Sequence, residues 1–232
     1  LLQVVRFDPG FIPEAAITDW PDVERRGVLL FAMLRSYKDL DLVKKYIFEC
    51  VAGFKLNELM VSGAGLVTQS GEMVPNTSIT YAEFLKRVIE YAEKNYVEIV
   101  PTINTPNHAT WLASAGHTKL FEFPDSYGVE RNKGRGLPMF ANIEHPDFYD
   151  TLFPYFRKLY TLFQKPKRVN IGHDEYDHYN FKDRREFKRI QELMLEDIIK
   201  QARYLKELGV EEVLMYADMI MESQNGGAPL EM

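Results

Sequence analysis

The chain of 232 residues is 46% hydrophobic and 27% charged, which are the proportions of an ordinary globular domain. Its formal net charge of −6 at pH 7 argues against nucleic acid as a partner, because proteins that bind nucleic acid usually carry a basic patch. No run of about 18 apolar residues is present, so we expect no transmembrane segment. The single cysteine, Cys50, cannot form an internal disulfide, and its apolar neighbours predict a position in the core.

Strand-like and helix-like stretches alternate along the chain. Short apolar runs predict strands at residues 27–31, 57–61, 97–103, 168–172 and 212–216. Helical spacing of apolar residues predicts helices at residues 40–54, from residue 80 onwards, and at 148–163 and 187–208. The stretch 105–145, which contains several prolines and glycines, is predicted as a long loop.

Three local signals concern the ends and the regularity of these helices. Thr80 and Glu83 have the spacing of a capping box, in which each side chain satisfies an amide at the helix start. Gly209 follows the last helix, where a C-terminal cap belongs. Pro154 is expected to kink or interrupt the helix at 148–163, because proline has no backbone N–H to donate.

The alternation of strands and helices predicts a parallel sheet flanked by helices. An open doubly wound sheet lacks support, since no GxGxxG follows the first strand. Long loops after the third and fourth strands favour an α/β fold of the (β/α)8 TIM barrel type, whose chemistry lies on those loops. Because such a barrel needs about 250 residues or more, we expect roughly its first five βα units in residues 23–232. Residues 1–22 are interpreted as a linker from a preceding domain.

The strongest chemical signal lies in residues 168–176, RVNIGHDEY. The predicted strand ends there, and Asp174 and Glu175 follow at once, at the catalytic rim of a barrel. The acids could instead cap the next helix, where carboxylates bond the first amides. His173 and His178 flank the pair, but the spacing is not HExxH and cysteine ligands are lacking, so we expect no metal.

Four segments in order extend this signal over nearly the whole chain. They are ITDWP with RGVLL at 17–21 and 26–30, KLN at 55–57, VPTINTPNHA at 100–109, and NIGHDE at 170–175. The third resembles a VPEIDMPGHA motif and the fourth an HIGGDE motif. With these motifs the chain resembles the catalytic domain of glycoside hydrolase family 20, the β-N-acetylhexosaminidases.

The resemblance implies an exo-acting, retaining enzyme with a substrate-assisted mechanism, in which the sugar's own 2-acetamido oxygen attacks the anomeric carbon. On this basis Asp174 would orient the acetamido group, and Glu175 would serve as general acid and then general base. His108 would support the catalytic acid as a third catalytic residue. The implied partner is an oligosaccharide or glycoconjugate substrate, and no cofactor is implied.

The resemblance also implies a group of substrate-binding residues. Arg35 lies near the family's sugar-binding arginine, although it is one residue out of register. Tyr216 and Asp218 stand where the family has a Trp-Asp pair, whose aromatic ring packs against the acetamido methyl. Asn104 replaces an acid of the third strand and His173 replaces a glycine beside the acids, and we predict that both contact the substrate.

The chain also departs from the family pattern. Residues 60–66, MVSGAGL, replace an HWHLTDD motif after the second strand, and Thr102 replaces a further acid. These departures leave two alternatives open: a glycosidase of different sugar specificity on the same barrel, and a non-catalytic glycan-binding domain. The compartment and the oligomeric state stay open.

Overall fold

The computed structural model describes residues 18, 20–30, 39–123, 138–175 and 184–218. The linker predicted for residues 1–22 lies mostly outside these ranges, so it stays a prediction. No helix in these ranges is long and apolar enough to span a lipid bilayer.

Five strands form one sheet, and each strand runs parallel to its neighbours. They are β1 (Gly27–Leu30), β2 (Glu58–Ser62), β3 (Glu98–Thr105), β4 (Arg168–Gly172) and β5 (Glu212–Leu214). Their order in the sheet is the order in the sequence. In a doubly wound sheet the order of the strands reverses at a switch point, whereas in a barrel each new strand is added beside the previous one. The fold is therefore α/β, with five consecutive units of a TIM barrel, as predicted.

Helices connect the strands. They are α1 (Leu40–Tyr46), α2 (Ala64–Gln69), α3 (Tyr81–Lys94), α4 (Thr110–Ser114), α5 (Phe148–Leu162) and α6 (Arg184–Leu208). A π-helical turn at Ile47–Val51 and a 3₁₀ turn at Ala52–Phe54 continue α1, and another 3₁₀ turn occupies Thr118–Phe121.

The two faces of the sheet differ in polarity, because successive side chains of a strand point to opposite faces. One face is apolar and shares a hydrophobic core with the helices; its buried members include Leu59, Val61, Ile99, Ile103, Val169 and Ile171. The alternate positions are largely polar and include Glu58, Glu98, Thr102, Arg168 and Asn170. Helices on both faces would require apolar residues on both. The polar face is therefore the interior of the barrel.

A charged cluster occupies the amino end of this interior. The guanidinium of Arg168, at the start of β4, donates to the carboxylates of Glu58 on β2 and Glu98 on β3. Arg168 and Glu58 are almost fully buried, with side-chain exposures of 9% and 7%. The hydrogen bond to Glu98 and the nearby charges raise the pKa of Arg168 further above its usual value. The cluster therefore ties three neighbouring strands together by paired charges.

The predicted helix ends are confirmed in their main features. The Thr80 hydroxyl accepts a hydrogen bond from the Glu83 N–H at 3.3 Å. The Glu83 carboxylate pairs with Arg87 at 3.0 Å, so the second half of the capping box is not formed. Gly209 has a φ of +109° and its N–H donates to the Lys206 carbonyl, which makes it the expected C-terminal cap.

The prediction that Cys50 lies in the core is wrong. Its side chain is exposed, although its apolar neighbours belong to the helical segment that packs on the sheet. The buried side of this segment follows Val43, Ile47 and Val51 at four-residue spacing. Cys50 stands outside that series and therefore faces solvent.

Two further local predictions need correction. The expected interruption at Pro154 does not occur, because α5 continues past it with two buried apolar side chains before the proline and two after it. The stretch 105–145 is not a single loop, since it contains α4 and the 3₁₀ turn after it. Burial of Trp111, Leu112 and Ala113 stabilises α4 despite its short length and the lack of a side-chain cap.

Replacing Arg168 by alanine should lower the free energy of unfolding by about 3–5 kcal/mol, because Glu58 would keep a buried charge without its partner. Chemical denaturation at pH 7 measures this loss. Arg25→Ala is the matched control, since Arg25 pairs with Glu212 at the same end of the sheet but in solvent, and should have little effect. Equal losses in the two variants would contradict the assignment.

Candidate active site

The predicted catalytic residues converge at the carboxyl ends of three neighbouring strands. Asp174 and Glu175 follow β4, His108 follows β3, and Asp218 follows β5. The carboxyl ends of parallel barrel strands form one rim, which is where barrel enzymes carry their chemistry.

The turn that presents the two acids has an unusual backbone. Gly172, His173 and Glu175 have φ values of +82°, +63° and +52°. A Cβ on Gly172 would lie 2.9 Å from the Asn104 Cα, so only glycine fits between the strands there. Non-glycine residues in this conformation are strained and persist only where the surroundings impose it. The turn must therefore be held by its contacts.

His108 lies between the two acids. Its Nε2 atom is 3.2 Å from Glu175 Oε2 and 3.5 Å from Asp174 Oδ2. The imidazole is partly buried, and its own backbone has a φ of +51°. One histidine thus contacts both carboxylates and brings β3 and β4 into a common site.

Asn107 fixes the backbone of the acid pair. Its side chain is fully buried, and Nδ2 lies 3.3 Å from the carbonyl oxygens of both Asp174 and Glu175, to which it donates. Asp218 holds the same turn from the other side, because its Oδ2 accepts from the Glu175 N–H at 2.8 Å. The Tyr216 N–H donates to the Gly172 carbonyl at 2.9 Å, which extends the contact with β5.

Asp174 is the more buried of the two acids, with a side-chain exposure of 18% against 50% for Glu175. Burial raises the pKa of Asp174, and the charges of Asp218 and Glu175 act in the same direction against the opposing effect of His108. Within the described part of the chain, Asp174 Oδ1 accepts no hydrogen bond although it is buried.

Tyr216 adds a hydroxyl group beside Asp174, and Thr102 lies next to that hydroxyl. Burial, followed by the charge of Asp174, raises the pKa of Tyr216 to about 12, so the phenol stays neutral. Neither hydroxyl has a well-formed hydrogen bond among the described residues.

Asn104 lies at the edge of this cluster. Its backbone is in contact with Gly172, and its carbonyl accepts from Trp111 Nε1 at 2.9 Å. Its buried Oδ1 finds no donor in the ranges that the structure covers. Arg35, the predicted sugar-binding arginine, lies outside the described residues.

His173 does not point into the rim, which corrects the prediction that it contacts substrate. Its side chain is fully buried on the helix side of the sheet, and Nε2 lies 3.0 Å from Asp197 Oδ2 on α6. The backbone reverses at this turn, so the side chains of neighbouring residues point in different directions. The His173 side chain is therefore buried behind the turn that carries the acids.

Sequence reasoning missed two polar residues of the site. Asp197 had a visible signal, because with Gln201 it interrupts the apolar stripe that Met194 and Leu205 mark on α6. A carboxylate on such a stripe requires a buried partner. The signal for Asn107 was its position next to His108, where the VPEIDMPGHA motif has a glycine. No group of three or more His, Cys, Asp or Glu side chains in the described ranges has the arrangement of a metal site.

Comparison with known proteins identifies the family. The model of the family described as "Glycosyl hydrolase family 20, catalytic domain" matches residues 55–223, which is well over half of the chain. The chain belongs to glycoside hydrolase family 20. A search of curated proteins finds no match.

Solved structures of family 20 share the fold. A β-N-acetylhexosaminidase superposes with a TM-score of 0.64 at 19% identity, over 91% of this chain and 50% of that one. Flavobacterium johnsoniae chitobiase gives 0.61 at 19% identity, over 85% and 32%. The Bacteroides fragilis β-N-acetylhexosaminidase gives 0.59 at 21% identity, over 86% and 43%. The chain spans half or less of the length of each of these family 20 proteins.

Replacing Asp174 by asparagine should stabilise the protein at neutral pH. A carboxyl whose pKa is higher in the folded than in the unfolded state binds more protons when folded, so stability falls as pH rises from about 4 through the folded pKa. The amide of asparagine does not ionise, so the variant does not lose stability in this way as the pH rises. Thermal unfolding at pH 7 should therefore show a higher midpoint for Asp174→Asn, and the gain should shrink as the pH is lowered towards 4.

Asp22→Asn serves as the control, because Asp22 is exposed and its midpoint should follow wild type at both pH values. A gain for Asp174→Asn that is the same at both pH values would reflect packing and would refute the burial argument.

Proposed function

We propose that this family 20 domain is the catalytic part of an exo-acting β-N-acetylhexosaminidase that works by the substrate-assisted retaining mechanism. The observation that supports this most is the pairing of a partly buried and a half-exposed carboxylate, both in contact with His108 at the rim of the barrel. The substrate would be an oligosaccharide or glycoconjugate with a terminal 2-acetamido sugar.

Asp174 would bind the N–H of the 2-acetamido group. Its buried Oδ1 lacks a donor within the described ranges, which an amide N–H would supply. As the acetamido oxygen attacks the anomeric carbon, positive charge develops on the cyclic intermediate. An ionised carboxylate in a partly buried site would stabilise that charge more strongly than it could in water. The positive charge of the intermediate would also favour the ionised form of Asp174, and so would oppose the effect of burial, which raises the pKa of this residue.

Glu175 would donate a proton to the leaving oxygen and then activate water. Its half-exposed side chain reaches the open side of the rim, as a group that meets both leaving group and water must. His108 Nε2, at 3.2 Å, would orient this carboxyl. The Asp218 contact with the Glu175 N–H would hold the backbone while the proton is transferred.

The remaining proposed binding residues would surround the sugar. Tyr216 would place its aromatic ring against the acetamido methyl, and Asp218 would bond a polar group of the sugar. Asn104 and Arg35 would add polar contacts from β3 and from the chain after β1. In this arrangement β3, β4 and β5 each contribute to one pocket.

A second candidate is a glycosidase of different sugar specificity. It is favoured by the connection after β2, where α2 buries Ala64, Leu66 and Val67 in place of the polar motif of the family. Activity on β-glycosides that carry a 2-hydroxyl would support it. Saturable glycan binding without turnover would instead support the non-catalytic alternative.

Glu175→Gln should lower kcat/KM on an aryl N-acetyl-β-glucosaminide by about 10²–10⁴-fold, because general acid–base catalysis is worth that much. The loss should be smaller for a leaving group that needs no protonation. Steady-state rates on two aryl glycosides of different leaving-group pKa measure both effects. Glu83→Gln is the control, since Glu83 lies on the surface of α3 and pairs with Arg87. A rate that Glu175→Gln leaves unchanged would exclude Glu175 from the mechanism.

Replacing the substrate's acetamido group tests the identity of the nucleophile. The wild-type protein should hydrolyse the 2-acetamido glycoside and show no turnover of the matching 2-hydroxy glycoside, which has no internal nucleophile. Rates on the two substrates at equal concentration give the comparison. Comparable turnover of both sugars would disprove substrate assistance.

A further inference from the structure

Behind the two acids lies a ring of buried hydrogen bonds formed by His173, Asp197, Gln201 and Thr105. Asp197 Oδ2 lies 3.0 Å from His173 Nε2 and accepts from Gln201 Nε2 at 2.8 Å. Gln201 Oε1 accepts from the Thr105 hydroxyl at 2.9 Å. The ring closes because the Thr105 carbonyl accepts from the His173 N–H at 3.0 Å. All four residues have zero exposure.

The chemistry of the ring fixes the direction of its bonds. A carboxylate only accepts, so Gln201 must present its amide nitrogen to Asp197 and its oxygen to Thr105. By the same rule His173 donates from Nε2 to Asp197. Every bond then joins a donor to an acceptor. Two further buried atoms of these residues, His173 Nδ1 and Asp197 Oδ1, have no hydrogen bond among the described residues, so the arrangement of the four residues depends on the bonds of the ring.

The ring joins β3, β4 and α6 directly behind the two strand ends that carry the proposed catalytic groups. Thr105 ends β3 and precedes Asn107 and His108 by two and three positions. His173 follows the last residue of β4 and immediately precedes Asp174. Asp197 and Gln201 stand one turn apart on the core side of α6. The ring thus clamps both strand ends to the same helix.

We propose that His173 and Asp197 are positioning residues, whose hydrogen bond on the helix side of the sheet holds the turn that directs Asp174 towards the substrate. This inference rests on the proposed function. The turn contains three residues with positive φ, and His173 is one of the two that are not glycine. A histidine in that conformation would relax without an anchor, and Asp197 supplies the anchor from α6.

Two departures from the family pattern meet in this ring. Thr105 stands at the methionine of the VPEIDMPGHA motif, and His173 stands at the second glycine of the HIGGDE motif. Without Asp197, His173 Nε2 would be buried without an acceptor. Without Gln201, the Thr105 hydroxyl would keep only its contact of 3.4 Å with the Ile171 carbonyl. Together with Asp197 and Gln201 the two residues form the ring. Their combination indicates that this chain supports its acids in a way of its own.

The first test is a double-mutant cycle on kcat with His173→Gly, Asp197→Asn and the double variant. Glycine tolerates the positive φ and asparagine matches aspartate in shape, so the protein should still fold. Each single variant should lose about 10–100-fold in kcat on the 2-acetamido glycoside, as expected for a small misplacement of a catalytic group. KM should stay within about twofold, and the double variant should be no slower than the slower single variant.

Tyr155→Phe is the matched control for this cycle. It removes another histidine contact of 3.0 Å, that of Tyr155 with His117, which does not touch the acids. Its kcat should equal that of wild type. Additive losses in the double variant, or single variants with unchanged kcat, would overturn the proposal.

The second test does not depend on turnover. The pKa of Asp174, measured by carbon NMR of the labelled carboxyl, should fall towards its usual value in His173→Gly and in Thr105→Val, because a relaxed turn exposes the side chain. Thr105→Val breaks the ring without removing a titratable group. In His173→Gly, loss of any positive charge on the histidine would raise the pKa of Asp174, so a fall in that pKa cannot come from the lost charge. Tyr155→Phe should leave it unchanged.

The two tests separate failure of the inference from failure of the proposed function. A wild-type protein that hydrolyses no 2-acetamido glycoside would refute the enzyme proposal alone, and the NMR measurement would then decide on the ring. An Asp174 pKa that is the same in wild type, His173→Gly and Thr105→Val would refute the positioning role whatever the activity.

Discussion

The site depends on one constraint, which is that a carboxylate has to be held partly buried at the end of a strand that is itself fully buried. The backbone of the turn after β4 does not adopt this geometry by preference, since three of its residues have positive φ. Contacts from β3, β5 and α6 impose it together. Asn107 bonds the carbonyls of the acids, Asp218 bonds an amide, and Asp197 anchors His173. The acids are positioned by elements far apart in sequence.

Much of the fold could be predicted from sequence because its signals are local. The strand at residues 168–172 was located to the residue, since a short apolar run ends at a glycine. The cap at Thr80 depends on two residues three positions apart. The predictions failed where tertiary packing decides. Cys50 faces solvent because α1 and its continuation pack on the side of Val43, Ile47 and Val51, a side that the apolar neighbours of Cys50 in the sequence do not reveal.

The candidate site likewise contains residues that local sequence signals reveal and residues whose placement depends on tertiary packing. Asp174, Glu175 and His108 were recognisable because the motifs at the ends of β3 and β4 keep their order and spacing. The direction of His173 was not, because a strand that leaves regular geometry no longer alternates its side chains. Its partner Asp197 lies 24 residues further along, on another element. Only the folded chain shows that the His173 side chain turns away from the rim and contacts Asp197.

The short helix after β2 has a consequence for how sugars are distinguished. Gly63 allows α2 to approach α5 closely, because a Cβ at this position would lie 2.5 Å from a Leu159 methyl. The apolar side chains of α2 point into the core. The six residues of α2 itself carry no charged side chain. Discrimination by fit is worth about 1–3 kcal/mol per methylene, far less than a site built to hydrogen-bond the substrate achieves. Under the proposed function, inversion or substitution of a sugar hydroxyl beside α2 would therefore cost little, and this side of the pocket would set the tolerance for different sugars while the opposite side carries the acids.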